Sequence, residues 1–242
     1  MEVNDLFSDI RMSNTGSISD ELAKGLTHMI FNGDFPPNYM FPNENELCKQ
    51  LGVGRNSLRE AYKILEANGF ITRSKRGTFV SDRETVLRGM PIATALKLSK
   101  DAQTMEYRTI IEIGIAEYAA QRATEDNLEN MRHYIEEMIG NSTIPEKRIY
   151  YDFMFHLELA KAGKNDLFIT LMQPIREYML HQNYIEVYKE SIKFRTPRAA
   201  AHHRNILQAI ESQDSEGARK AMSTHMKDHY SYFENMKDTV QG

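Results

Sequence analysis

Residues 43–80 read NENELCKQLGVGRNSLREAYKILEANGFITRSKRGTFV, and this stretch decides the fold of the first part of the chain. Asn43 stands three residues before Glu46, the spacing of a capping box, so a short helix is predicted to begin just after Asn43. The glycine-bracketed turn 52–54 then leads into a second helix near Arg55. Two helices joined by so short a turn are typical of a helix-turn-helix motif.

The second helix of this motif is amphipathic. Its apolar residues recur at helical spacing and are predicted to face the domain core: Leu58, Ala61, Tyr62 and Leu65. Arg55, Asn56 and Arg59 fall on the opposite side of the helix. Because the core leaves these polar side chains free, they are predicted to contact DNA.

A small basic wing is predicted after this helix. Two short strands, 70–73 and 78–80, are joined through a tip that carries Lys75 and Arg76. Residues 49–80 hold seven Lys or Arg against two Glu, whereas the whole chain has a formal net charge of -4. Because phosphate contact is mainly electrostatic, this asymmetry predicts a nucleic-acid surface here and a different role for the rest of the chain.

Three motifs of this region resemble the GntR family of bacterial transcription regulators: PNENEL at 42–47, GVGRNSLREA at 52–61 and RGTFV at 76–80. The resemblance implies that Arg55 and Arg59 contact the major groove of operator DNA, and that Gly77 of the wing approaches the minor groove. Gly54 stands where the family usually has Ser or Thr, which removes a side-chain cap from the start of the recognition helix.

The length of 242 residues predicts two domains. We assign residues 1–80 to a winged helix-turn-helix domain, 81–100 to a linker with a short helix, and 101–242 to a second domain. No apolar run approaches the roughly 20 residues of a membrane span, and the first residues lack a signal-peptide core. A cytoplasmic protein without membrane contact is therefore expected, and its single cysteine, Cys48, fits a reducing compartment.

Beyond residue 100 the hydrophobic pattern is helical throughout. Six helices are predicted, at 107–122, 124–139, 145–161, 167–188 with a kink at Pro174, 197–212 and 215–236. The predicted fold class is therefore mainly α, with an N-terminal winged helix-turn-helix and a C-terminal antiparallel bundle made only of helices.

Four polar residues of this bundle could bind a metal. Asp152 and His156 lie four residues apart and so share one helix face, and His203 and His225 belong to the last two helices. If these faces meet, one carboxylate and three imidazoles suit a divalent transition metal such as zinc, nickel, manganese or iron. His202 and His229 are neighbours that compete for the same positions.

Four segments of the bundle also resemble the FCD ligand-binding domain of the FadR subgroup: MEYRTIIE at 105–112, DFMFH at 152–156, HRNILQAI at 203–210 and ARKAMSTH at 218–225. The resemblance implies that Asp152, His156, His203 and His225 hold a metal, and that the carboxylate of a small organic acid completes its coordination. It also implies that Arg108 faces the effector, although Arg108 could instead form an intrahelical pair with Glu112.

The sequence thus predicts a metabolite-responsive transcription regulator and not an enzyme. We expect a homodimer, because a winged reader of half-sites gains affinity and register from two-fold symmetry. A small carboxylate or sugar acid is expected to release this repressor from its operator. Two alternatives stay open: a metal-dependent hydrolase with a DNA-targeting domain, and an architectural DNA-binding dimer whose histidines hold no metal.

Overall fold

The computed structural model describes residues 17–189 and 192–240. The chain divides into two compact units, the first ending at Leu98 and the second beginning at Ser99. Helices dominate, and the described residues contain one small antiparallel sheet. The predicted mainly helical fold class is confirmed. No helix in the described part of the chain combines the length and apolar character that a membrane crossing requires.

The first unit has five helices and a hairpin in its described residues. In chain order these are α1 (Ile18–Asn32), α2 (Glu44–Leu51), α3 (Arg55–Ala67), β1 (Ile71–Ser74), β2 (Gly77–Val80), α4 (Arg83–Gly89) and α5 (Ile92–Leu98). The helix-turn-helix therefore comprises α2 and α3, with α3 as the recognition helix. The segment predicted to hold one short helix after the wing contains two.

The core of the first unit lies where the helices and the wing meet. Leu26, Leu47 and Leu58, one from each of the first three helices, are completely buried, and Phe70 before β1 is buried with them. Burying a leucine or phenylalanine side chain contributes about 1.5–3 kcal/mol. This shared core holds the recognition helix against the wing.

The wing is a tight hairpin. Strand β1 pairs antiparallel with β2 in a register that places Ser74 opposite Gly77. Lys75 and Arg76 thus form a two-residue loop at the tip, and both are exposed. Gly77 has φ of +138°, a backbone conformation that side chains with a Cβ rarely adopt. Glycine at this position therefore lets the basic tip turn back into β2.

The second unit is built from seven helices in its described residues: α6 (Asp101–Arg122), α7 (Glu125–Gly140), α8 (Pro145–Ala162), α9 (Asp166–Met179), α10 (Gln182–Lys189), α11 (Ile192–Glu211) and α12 (Ser215–Val240). Helix α8 packs against α6, α7, α9 and α10. It is consequently buried on several sides, including the positions of its charged residues Arg148, Asp152 and Glu158. A helix that is buried nearly all round is the centre of such a bundle.

Three helix predictions for this unit were wrong. Helix α6 begins at Asp101 and not at residue 107. The segment 167–188 is not one helix kinked at Pro174. Pro174 lies inside α9, which ends at Met179, and α10 begins at Gln182. Buried side chains on either side of the break, such as Tyr178 and Tyr184, pack as parts of two separate helices. Helix α11 begins at Ile192, ahead of the proline predicted to start it.

Candidate functional site

The start of α2 is capped as its sequence predicts. The Asn43 side chain accepts a hydrogen bond from the Glu46 amide at 3.0 Å, and its Nδ2 donates to the Glu46 carboxylate at 3.3 Å. The first bond satisfies a backbone N–H that a helix start otherwise leaves open, and the second joins the two side chains. The cap fixes where α2 begins, and so it places Glu44 in the first turn, beside α3 and β1.

The predicted DNA-contacting residues all lie on the surface of the first unit. Arg55, Asn56 and Arg59 are exposed on α3, and Lys75 and Arg76 are exposed at the wing tip. The recognition helix begins after Gly54 without a side-chain cap, as the glycine at that position predicts. This arrangement presents cations and the first backbone amides of α3 on exposed positions, the groups that contact phosphates and base edges.

Arg59 is exposed as predicted, but its side chain is not free, because it forms an ion pair. Its Nε donates to Glu44 Oε2 at 2.8 Å, and Arg73 Nη2 of β1 donates to Glu44 Oε1 at 2.8 Å. The Arg73 guanidinium also lies 5.5 Å from the centre of the Tyr62 ring. One carboxylate thus links α2, the recognition helix and the wing, a role that the sequence reasoning did not assign to Glu44.

The second unit brings three histidines from three helices together. His156 of α8, His203 of α11 and His225 of α12 are buried, and their candidate ligand nitrogens all lie within 4.8 Å of one another. The Nε2 atoms of His156 and His225 are 3.2 Å apart. A transition metal holds imidazole nitrogens at about 2.0–2.1 Å, so two nitrogens that share an ion lie about 3.0–3.4 Å apart. The His156–His225 pair fits that spacing.

Burial keeps His203 and His225 neutral. It lowers the pKa of His203 to about 3, an effect that the Asp152 carboxylate opposes only in part. Burial, together with the neighbouring histidines, also lowers the pKa of His225 well below its usual range. Neither ring nitrogen of His203 has a hydrogen-bond partner among the described residues. Neutral imidazoles with unused lone pairs are the form that binds metals, so the donor set fits a divalent ion.

Asp152 borders the cluster as an ionised carboxylate. Its Oδ1 lies 3.6 Å from His203 Nε2 and 3.6 Å from Arg148 Nη2. Burial raises the pKa of Asp152, but the charge of Arg148 and the neighbouring histidines outweigh burial and hold this pKa well below its usual range. Asp152 is therefore placed to add a negatively charged ligand beside the three imidazoles.

Arg108 and Glu112 form the intrahelical pair that the sequence left as an alternative. Arg108 Nε donates to Glu112 Oε1 at 2.8 Å, and both side chains are almost completely buried. Glu112 Oε2 lies 2.5 Å from Nδ1 of His156. Burial alone would raise the pKa of Glu112, but Arg108 and His156 lower it to about 2.

This carboxylate orients the His156 ring. An ionised Glu112 favours a proton on the Nδ1 that it contacts, which leaves Nε2, the atom facing His225, with its lone pair. Sequence reasoning considered Glu112 only as a partner of Arg108 and missed its contact with His156. Arg108 Nη1 is buried and has no hydrogen-bond partner within the described ranges, so Arg108 retains one donor for a ligand.

The competing histidines have other partners. His202 Nε2 lies 3.7 Å from Asp228 on α12. His229 Nε2 lies 3.1 Å from the Tyr184 hydroxyl group, within hydrogen-bond distance. Both rings remain near His225, at centroid distances of 5.8 Å and 6.3 Å, but neither joins the three-histidine cluster.

Comparison with known families matches both units of the chain. Residues 18–80 match the gntR family of bacterial regulatory proteins, and residues 103–228 match the FCD domain. This chain belongs to the GntR family. Its FCD domain is consistent with the FadR subgroup. It is a DNA-binding transcription regulator and not an enzyme, which removes the hydrolase alternative.

Curated relatives of this GntR regulator match along most of their length. LutR of Bacillus subtilis is 29% identical over 88% of this chain and 97% of its own. An Escherichia coli protein provisionally named as the L-lactate dehydrogenase operon regulatory protein is 30% identical over 86% and 83%. The galactonate operon transcriptional repressor of Escherichia coli is 27% identical over 85% and 92%.

A solved structure supports the fold. Lar of Listeria monocytogenes superposes with a TM-score of 0.59 over 90% of this chain and 97% of its own, at 21% sequence identity. The match covers both the helix-turn-helix unit and the helical unit. At this identity the likeness shows a shared fold.

Proposed function

We propose that this regulator is a homodimeric repressor that senses a small carboxylic acid at a metal held by its helical unit. The observation that carries the proposal is the buried convergence of His156, His203 and His225. These residues, with Asp152, would hold the metal, and a bound divalent ion supplies a Lewis-acid site for carboxylate oxygens. The identity of the ion is left among zinc, nickel, manganese and iron.

Arg108 supports an acid as the effector. Its guanidinium is buried beside the cluster and keeps an unused donor at Nη1 among the described residues. A buried donor without a partner costs about 1–3 kcal/mol, and a carboxylate oxygen would remove that cost. Arg108 would then orient the acid while Glu112 continues to hold Arg108 and His156.

The relatives indicate both the kind of acid and the sign of regulation. One relative is named for an L-lactate dehydrogenase operon, and another is named a repressor of a galactonate operon. Lactate and galactonate both carry a hydroxyl group next to the carboxylate. We therefore propose a 2-hydroxy acid as the effector and repression as the basal action, exerted in the cytoplasm where operator DNA is accessible.

Metal content and operator release test this proposal. Protein purified without chelators should hold about one divalent ion per chain, and His203→Ala with His225→Ala should hold none. The same double variant should still bind operator DNA in a gel shift but should no longer be released by an acid, because the first unit has its own core.

His133→Ala is the matched control, since His133 is exposed on α7. It should keep the ion and the acid response. Absence of metal from the native protein, combined with operator binding that no acid changes, would contradict the proposed sensing function. This result would support the alternative of an architectural DNA-binding dimer. Retained acid response in the metal-free double variant would place the acid on Arg108 alone.

A further inference from the structure

Arg148 is a buried cation that the proposed function leaves without a role. It lies on α8 one turn before Asp152, with 6% of its surface exposed. Its Nη2 is 3.6 Å from Asp152, longer than a hydrogen bond, and its buried Nε has no hydrogen-bond partner in the described part of the chain. A guanidinium has five N–H donors, and leaving even one of them unsatisfied in the interior is costly. Arg148 is therefore equipped to bind a further acceptor.

The position of Arg148 relates it directly to the histidine cluster. Arg148, Asp152 and His156 follow one another at four-residue spacing along one face of α8. Asp152 Oδ1 is 3.6 Å from the guanidinium and 3.6 Å from His203 Nε2. Because both contacts share this oxygen, the distance from Arg148 Nη2 to His203 Nε2 cannot exceed the sum of the two. A chain of roughly three or four carbon atoms, at about 1.5 Å per bond, spans such a distance.

The charges around the cluster favour a ligand with two acidic groups. The charges of Arg108 and Glu112 cancel within their ion pair. Asp152 is the carboxylate that pairs with Arg148 on α8, and a divalent ion bound by Asp152 would compete for that negative charge. One carboxylate of an effector would compensate the ion, and a second would compensate Arg148. The planar guanidinium binds a carboxylate through two parallel N–H bonds.

The small cavity beside Arg148 shares two lining residues with an open cleft on the surface of the second unit. A small cavity of about 10 Å³, enough for one water molecule, is lined by Arg148, Asp152, His225 and His229 together with Arg195 and Asp228. Arg195 and Asp228 also line an open surface cleft of about 610 Å³. Their nearest charged atoms are 4.0 Å apart. A ligand that parts this half-buried pair would pass from the cleft to Arg148.

We propose that the effector is a short dicarboxylic acid, with one carboxylate at the histidine cluster and the other on Arg148. This inference rests on the proposed function, because it requires an acid at the cluster. Arg148 then determines specificity: it separates dicarboxylates from monocarboxylates that share the same 2-hydroxy acid end.

L-Malate and L-lactate test the proposal, because both are 2-hydroxy acids and only malate carries a second carboxylate. In calorimetric titrations of the full-length, metal-containing protein, malate should bind about tenfold tighter than lactate or better. Arg148→Gln should weaken the affinity for malate by about tenfold or more and the affinity for lactate by less than about threefold. Lys147→Gln, an exposed neighbour of the same charge on α8, should leave both affinities unchanged.

Metal content and circular dichroism are measured on each variant. If Arg148→Gln loses the ion or the fold, Arg148→Lys provides the test instead. This variant keeps the charge but loses the bidentate geometry, so it should weaken malate binding and leave lactate binding nearly unchanged. Equal affinities for malate and lactate in the native protein, or malate binding unchanged in an Arg148 variant that keeps its metal, would overturn the inference. Release of the operator by lactate and not by malate would overturn it and leave the proposed function standing. Failure of both acids, and of every other carboxylate, to bind would overturn the proposed function as well.

Discussion

The two units of the chain hold the arginines with proposed binding roles in opposite ways. In the first unit, the side chain of Arg59 is 59% exposed and pairs with Glu44, whereas in the second the side chain of Arg108 is 1% exposed and pairs with Glu112. An exposed ion pair is worth about 0–1 kcal/mol and gives way to a phosphate group. A buried pair cannot lose one partner without leaving an uncompensated charge. The ion pair of the arginine proposed to contact DNA is thus exchangeable, and that of the arginine proposed to bind the effector is fixed.

The largest effect should come from breaking the buried pair. Glu112→Gln keeps the size of the side chain but leaves the Arg108 guanidinium without its counter-charge, so the free energy of unfolding should fall by about 3–5 kcal/mol. Urea denaturation followed by circular dichroism measures this loss.

The chain offers a matched control on α4. Arg88 and Glu84 have the same four-residue spacing as Arg108 and Glu112, but their side chains are 77% and 74% exposed. Glu84→Gln should change the free energy of unfolding by less than about 0.5 kcal/mol. Equal losses in the two variants would show that burial does not distinguish the pairs.

Removing the exchangeable arginine should affect binding rather than folding. Arg59→Ala should weaken operator binding by about 1–3 kcal/mol, because a base or phosphate contact is lost, while the unfolding midpoint stays near that of the native protein. Gel-shift titration against operator DNA measures the first quantity and thermal melting the second. Native affinity in the variant would remove Arg59 from the interface.

A smaller effect is expected when the partner of Arg59 is changed. Glu44→Gln releases Arg59 and Arg73 and removes a negative charge next to the DNA-facing surface. Binding to unrelated DNA should become tighter, and the free-energy difference between operator binding and non-specific binding should fall by about 1 kcal/mol, which lowers the ratio of the two affinities. Titrations with operator and scrambled duplexes at one salt concentration measure the ratio. An unchanged ratio would mean that Glu44 does not position the arginines.

The wing should give the smallest change, visible mainly in the salt dependence. Lys75→Ala with Arg76→Ala removes two exposed cations from the hairpin tip. If both contact phosphates, the slope of log affinity against log salt should become shallower by about 1.8. Repeating the operator titration at several salt concentrations gives this slope. Identical slopes for variant and native protein would place the tip away from the backbone of the duplex.

The same contrast explains how much the sequence could predict. The first unit is specified by local signals: the Asn43 cap, the glycine turn and the hairpin that ends at Gly77 each act within a few residues. Its elements were therefore predicted closely. The pairing of Glu44 with Arg59 was not, because the two residues come from different helices and no spacing rule links them.

Predictions for the second unit depended on the resemblance to the FCD domain. Spacing alone placed Asp152 and His156 on one face, but only tertiary packing brings His203 and His225 to them. The contact between Glu112 and His156 has no local pattern at all. The break between α9 and α10 contains neither glycine nor proline at Leu180–His181, so periodicity continued across it.

The missing side-chain cap at Gly54 has a consequence for how an operator can be recognised. The first-turn amides of the recognition helix are presented without a side chain to compete for them, so a phosphate oxygen could take the cap position. A backbone amide loses no rotamer freedom on binding, and its contact with a phosphate group does not depend on which bases are present. Such a contact would set the position of the helix along the duplex independently of the base sequence. Discrimination between sequences then falls on Arg55, Asn56 and Arg59, so substitutions there should retarget the regulator while its docking position stays constant.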